Sequence, residues 1–392
     1  MTEQRDEIAT ARRKKRAKYR VRRLKTLAVA VALILLVLFA VDIVTSTSLE
    51  DITDYFKCAF SESRDYPFET TKSAPHRSEQ LSMAYALLTD RELDVYSKRG
   101  GLLQSYEHDM SNSRMETSAN RVLLYNALGK NIVALSRTSV ISEFSTERQI
   151  ISADISPNGT IAALERGDRY TCQLEVFEGS RYSKIMTWYG SKGFPLFVTF
   201  ADNSRLAYVV TIGEKNGMII SYISAIDVKS EKELFTTQID GMVLKIFSLR
   251  SNYIVAVTDV GLCEIYADGV QSGVEAYGQA PLIAAQSDNG HVVLGFGDNS
   301  RPQINSLRVF DKSAKLCAEI PDCETIKDIY VGSDRFYILG DGTVSEYNFK
   351  GELRKKYTCD KSSLRIMKFS DIIIILPTSV QHAVEATEEG KQ

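Results

Sequence analysis

Histidines, cysteines and acids are the residues of this chain whose types could do chemistry, and their spacing limits which chemistry is open. The four histidines, His76, His108, His291 and His382, are scattered along 392 residues. No metal site forms from sequence neighbours, although a repeating fold could still gather distant ligands at its axis. His291 heads an apolar run beside a turn, a position that reads as structural or solvated. The six cysteines (Cys58, Cys172, Cys263, Cys317, Cys323, Cys359) include no Cys-x-x-Cys, so a zinc ribbon or thioredoxin-type centre is unsupported. Cys172 in Thr-Cys-Gln-Leu-Glu-Val-Phe and Cys263 in Gly-Leu-Cys-Glu-Ile-Tyr occupy equivalent places in strand-like runs and read as small buried hydrophobes. Cys317 and Cys323, the one close pair, are open to either a bridge or two free thiols. There is no Gly-x-Ser-x-Gly and no Ser-x-x-Lys, so the common serine nucleophiles are missing. The Asp288-Asn-Gly and Asp341-Gly-Thr runs do not match the EF-hand spacing and read as hairpin turns. No catalytic residue, metal ligand or cofactor-binding residue is assigned.

The elements that would position such residues are short strands. Between residues 57 and 385, apolar or alternating runs recur, among them Arg121-Val-Leu-Leu-Tyr, Tyr253-Ile-Val-Ala-Val and Asp371-Ile-Ile-Ile-Ile-Leu. Turn signals near Glu79, Asn120, Asn158, Asn203, Asn252, Asn289, Asp334 and Asp371 repeat at intervals of roughly 42 residues, the period of a four-stranded propeller blade. The expected fold is therefore all-β, a β-propeller of eight blades with seven as the close alternative. Residues 150–189 show one unit in full: a first strand, a turn at Pro157-Asn-Gly, and three further strands. The last unit has only three strands before the tail. Its fourth is expected from upstream, within Tyr55 to Phe68, which would close the ring and remove an open sheet edge.

Loops between second and third strands would then share one rim. Three are polar or long, and they nominate Arg166, Asp168, Arg169, Glu214, Lys215, Asp298 and Arg301 as a candidate binding rim. Asp154 and Asp328 fall in first-strand segments and could face the central channel. Neither receives a role, because sequence does not set the separation between carboxylates.

The formal net charge of −2 hides a division. Residues 1–25 hold eleven Lys/Arg and three acids, a balance of +8, while the chain beyond residue 44 carries −9. Between them, Thr26 to Val44 is apolar apart from Asp42, long enough for a membrane-spanning helix. The basic cluster before it places the N-terminus in the cytoplasm and the remainder outside. A cleaved signal peptide competes with this reading, but Leu38-Phe39-Ala40 puts Leu where a small residue belongs. The expected order is a basic cytoplasmic tail (1–25), a transmembrane helix (26–44), a linker (45–56), an extracellular propeller (57–385) and a flexible tail (386–392). Positive-inside topology accounts for the basic tail, so no nucleic acid is expected as a partner.

At Leu81-Ser-Met-Ala-Tyr-Ala-Leu-Leu-Thr-Asp-Arg-Glu-Leu-Asp-Val-Tyr, Tyr106-Glu-His-Asp, Asn120-Arg-Val-Leu-Leu-Tyr and Ile151-Ser-Ala-Asp-Ile-Ser-Pro-Asn-Gly, the chain resembles a family of Gram-positive single-pass envelope proteins. These carry a quinoprotein- or WD40-like propeller outside the membrane and are catalogued as a domain of unknown function. The resemblance implies the architecture and a cell-membrane location, and brings no reaction and no site residues. Tryptophan docking motifs of cofactor-bearing quinoproteins are absent, since Trp188 is the sole tryptophan, and no cofactor is expected. The expected function is a membrane-anchored binding or scaffold module for another envelope protein or a neutral glycan. An envelope hydrolase of lactonase or glycosidase type, with acids at the channel, and a ligand-sensing ectodomain are the alternatives.

Overall fold

The middle strands of the repeats are mostly apolar and buried along most of their length, and such strands need cover on both faces. The computed structural model supplies it by standing four-stranded sheets side by side in a ring. It describes residues 49–386 apart from 71–72, 180–181, 202–203, 251–252, 279, 289, 299–300, 322 and 324. The basic tail and the 26–44 span, where the expected membrane helix falls, lie outside the described residues. Among the described residues no helix is long and apolar enough to cross a membrane. Contacts divide the chain into Met1–Phe56 and Lys57–Gln392. A helix at Leu49–Ala59 occupies most of the segment expected as a linker.

Eight sheets form eight blades, seven of four strands and one of five. Their first strands are Arg77–Leu81, Ser113–Ser118, Ile150–Ile155, Phe194–Phe200, Val243–Arg250, Leu282–Asp288, Asp328–Val331 and Arg365–Lys368, numbered here as blades 1 to 8. Within blades 1 to 7 the strands run antiparallel in chain order. Blades 1 to 7 each carry a register shift between third and fourth strands, such as Val95/Tyr96, Val176/Phe177 and Glu346/Tyr347. A bulge at this place adds twist to the outer strand, where blades splay apart.

Eight hydrophobic clusters fill the gaps, one between each pair of neighbouring blades. In blade 1, Ala84, Ala86 and Leu88 face blade 2, and the alternating Tyr85 and Leu87 face blade 8. The period-2 geometry of the strand thus serves two interfaces at once. Cys172 and Cys263 are fully buried in such clusters, as their sequence context suggests. Cys317 and Cys323 are free thiols rather than a bridge.

The ring closes with strands from both ends of the chain. Phe68–Glu69 pairs with Ser379–His382 as the outer strand of blade 8, at the downstream limit of the expected window. Phe68 is buried there with Tyr85, Tyr96 and Val380. Two sequence expectations are corrected. Glu79 lies inside the first strand of blade 1, and the turn follows at Ser82–Met83, with Met83 at φ 61°. The third strand of blade 8, which the sequence places at Val380 to Val384, ends at His382; Val384–Glu385 crosses to blade 7 and pairs with Tyr357 and Thr358 as its fifth strand.

Candidate functional site

Strand direction gives the propeller two unlike rims. Turns joining first to second and third to fourth strands share one, the turn rim; connections joining second to third strands and one blade to the next share the other, the loop rim. A channel lined by first strands connects them.

The channel holds cavities of about 940 and about 620 Å³ that share Arg77, Asn112, Arg114 and Lys245. Arg77 is its electrostatic hub. Its Nη2 donates to both carboxylate oxygens of Glu116 at 3.2 Å and its Nε to Glu79 Oε1 at 3.1 Å. Burial pushes the Glu116 carboxyl up to about 7, with Arg77 opposing the shift. The same walls lower the Lys245 ammonium pKa, against the pull of Glu79 and Glu116. Lys245 donates to the Ala285 carbonyl at 3.2 Å and lies over the Phe247 ring.

Asp154 and Asp328 sit on first strands, as expected, and each accepts one backbone amide from the next blade. Asp154 Oδ2 accepts from Phe200 N at 2.7 Å and Oδ1 from Ile155 N at 2.8 Å. Asp328 Oδ2 accepts from Ile366 N at 2.9 Å, and its Oδ1 from Arg365 at 3.1 Å. Gln80 does the same work at the seam of blades 1 and 8, bonding both backbone groups of Lys368. These side chains fasten one blade to another. Burial still raises both aspartates to about 6.

Of the histidines only His76 and His108 lie near each other; burial lowers the His108 pKa, and the charge of His76 acts in the same direction. His291 stacks on Phe349 at 3.8 Å and His382 on Tyr66 at 4.0 Å, both structural. His76 Nδ1 lies 3.5 Å from Asp90. Among the described residues, no three His, Cys, Asp or Glu are grouped to hold a metal.

The loop rim carries the residues that sequence nominated. Arg166 ends the second strand of blade 3 and is exposed, as is Arg169 in the following loop. Asp168 is ion-paired to Arg148 Nη2 at 2.8 Å. In blade 4 the second and third strands, Leu206–Lys215 and Met218–Asp227, form a hairpin of ten residues on each side. Its tip turns at Asn216-Gly217, with φ of 56° and 80°, and Glu214 accepts from the Gly217 amide while Lys215 is exposed. Asp298 and Arg301 face each other in register at the end of the blade 6 hairpin, whose 299–300 turn lies outside the described residues. All seven share the rim but come from three hairpin ends, those of blades 3, 4 and 6, with blade 5 between the last two.

Sequence reasoning missed the apolar part of this rim. Phe194 is 78% exposed, Met218 65%, Ile219 51%, and Tyr170 and Tyr189, 50% each, pack ring on ring at 4.8 Å. The hairpin tip projects beyond its neighbours, since pairing to the first strand ends at Phe194↔Ile212 and to the fourth at Ile220↔Asp240. Met218-Ile219 directly after Gly217 was the available signal: apolar residues at a tight turn have no core to enter.

In comparisons with solved structures, the chain is similar to the computationally designed Ika8 protein (TM-score 0.61, 13% identity, covering 81% of this chain and 98% of that one). It is similar to BamB from Moraxella catarrhalis (TM-score 0.52, 10% identity, 80% and 99%). It is also similar to the C-terminal WD40 domain of Sif2 (TM-score 0.59, 11% identity, 84% and 100%). At these identities the likeness concerns the fold alone. No curated protein matches the chain in sequence. A family model described as a family of unknown function matches residues 63–383, nearly all of the propeller. The chain belongs to that family, DUF5711.

Proposed function

We propose that this protein is a membrane-anchored propeller that serves as a binding or scaffold module in the cell envelope, engaging another envelope protein through its loop rim. The observation that carries the reading is where the polypeptide enters the ring. Cys58 Sγ donates to the Met83 carbonyl at 3.5 Å, Arg64 N to the Arg99 carbonyl at 2.9 Å, and Tyr66 Oη to the Lys98 carbonyl at 3.4 Å. Met83 and Arg99 lie in turns of blade 1 on the turn rim. The described polypeptide thus enters the ring on the turn-rim side, which supports the loop rim as the face that meets a partner. Tethering raises the effective concentration near other membrane components, so modest contacts suffice. Arg77, Glu79, Glu116, Asp154 and Asp328 in the channel are spent on each other and on neighbouring blades, which supports binding over hydrolysis.

Site-specific photo-crosslinking in cells tests this. A crosslinker at Met218 is expected to yield a reproducible adduct with one envelope protein, and a crosslinker at Val270, on the turn rim, is not. Absence of an adduct from Met218, or an adduct from Val270 alone, overturns the reading.

A further inference from the structure

The exposed apolar side chains are unevenly placed around the ring. On the loop rim, Leu128, Tyr170, Tyr189, Phe194, Met218, Ile219, Leu244, Val260 and Ile283 are all 40% exposed or more. They belong to blades 2 to 6, which are consecutive; apart from them Val384, on the added outer strand of blade 7, is also exposed at that end. The second-to-third connections of blades 1, 7 and 8 instead present Thr89-Asp90-Arg91, Gly340-Asp341-Gly342 and Leu376-Pro377-Thr378, of which only Leu376 is a large hydrophobe, and it is buried. One sector of one rim is therefore apolar, centred on the projecting hairpin of blade 4.

The charge beside this sector is also uneven. Arg166, Arg169, Lys192 and Lys215 are exposed along blades 3 and 4, and Lys192 lies over the Tyr222 ring at 5.7 Å. The acids among them are already engaged: Asp168 by Arg148, and Glu214 by the Gly217 amide. No carboxylate among the described residues partners any of the four cations. Asp259, on the blade 5 side, accepts from the Met242 amide at 2.8 Å, and Asp240 is the nearby exposed acid. A cationic fringe on an exterior that totals −9 marks a local preference, not the general character of the surface.

Building on the loop-rim reading, we propose that the occupant of this sector is an acidic amphipathic segment of a partner protein. Its apolar side chains cover Phe194, Met218 and Ile219, and its carboxylates meet Arg166, Arg169 and Lys215. Apolar centres enriched in Met and aromatic residues, edged by Arg, are the common composition of protein-binding patches. The free carboxylate of an Asp or Glu satisfies the guanidinium fork in a way that a neutral glycan cannot. A lipid surface is disfavoured because the chain enters on the opposite rim.

The test uses the full chain in detergent and a displayed library of random peptides about twelve residues long. Enriched peptides are expected to combine Asp or Glu with aromatic or aliphatic residues. Their binding is expected to fall about tenfold in M218D and in the R166E/R169E/K215E triple variant, with V270D unchanged. F194D stands in for M218D if the latter lowers the melting temperature. Enrichment of basic or uncharged peptides, no enrichment, or binding indifferent to the rim variants overturns the proposal. So does binding to phosphatidylcholine–phosphatidylglycerol vesicles that the same variants abolish. If Met218 crosslinks in cells but the contacted partner segment is neutral or basic, the chemistry proposed here fails while the loop-rim reading stands; if nothing crosslinks there, both fail.

Discussion

At the scale of single residues, blade 3 contains a pair of carboxyls that folding has driven into each other's company. Glu165 and Glu175 lie on the face toward blade 2, both almost without solvent contact. Gln173 Nε2 donates to Glu165 Oε2 at 2.9 Å, and Lys184 Nζ to Glu175 Oε1 at 3.0 Å. The pair has one lysine directly bonded to it, with the Arg148 guanidinium acting on Glu165 from further out. Burial, reinforced by the charge of Glu175, pushes Glu165 up to about 8. A carboxyl whose pKa is higher in the fold than in the unfolded chain keeps its proton when the unfolded chain releases it. Stability then falls as pH rises from the ordinary glutamate range to about 8, and is level above. Glu165→Gln mimics the protonated acid and removes that dependence. The variant is expected to match the parent near pH 4.5 and to exceed it at pH 8.5 by on the order of 1 kcal/mol or more, read by denaturant unfolding at both values. Equal stability at pH 8.5 would show that Glu165 is ionised at no cost. None of this was legible in the chain, where Glu165 reads as one more acid at a strand end; only the cross-strand register brings it diagonal to Glu175.

At the scale of elements, the weakest seam is the closure of blade 8. Its outer strand is two residues long and holds two register pairs, Phe68↔Val380 and Glu69↔Ser379. The strand is secured mainly by Phe68, packed with Tyr96 at 5.6 Å and beneath the Arg64 guanidinium at 4.9 Å. Phe68→Ala removes that packing and is expected to cost about 3 kcal/mol or more. The loss also bares the edge at Ser379–His382, so the variant should associate on size exclusion at concentrations where the parent does not. A variant that stays monodisperse with parental stability would mean that the closure is held elsewhere. The need for an upstream strand was readable because the last repeat is one strand short. Its position could not be read so closely, since two residues carry no periodicity.

At the scale of the whole molecule, the proposed topology makes a chemical forecast. Cys317 is exposed on the outer strand of blade 6, while Cys172 and Cys263 are fully buried. If the propeller lies outside the membrane, a membrane-impermeant maleimide should label intact cells, with the signal falling sharply in Cys317→Ser and the two buried thiols remaining silent. Labelling only after lysis would reverse the orientation. Partial burial raises the Cys317 thiol pKa, so labelling should proceed faster at pH 8 than at pH 7.

The division of labour between sequence and structure follows from the range of the forces involved. Turn chemistry and strand periodicity are local, so the blade repeat, the eight units and the two-ended closure could be read from the chain alone. Charge and hydropathy likewise mark the +8 tail and the apolar span after it as segments of composition. Which acids become blade fasteners was decided only in three dimensions, because Asp154 meets Phe200 and Asp328 meets Ile366 across a seam between blades. The same holds for the apolar sector. Tyr170, Phe194, Met218 and Leu244 are separate hydrophobes along the sequence, and they share a rim because antiparallel strands return to the same side of the ring at each blade.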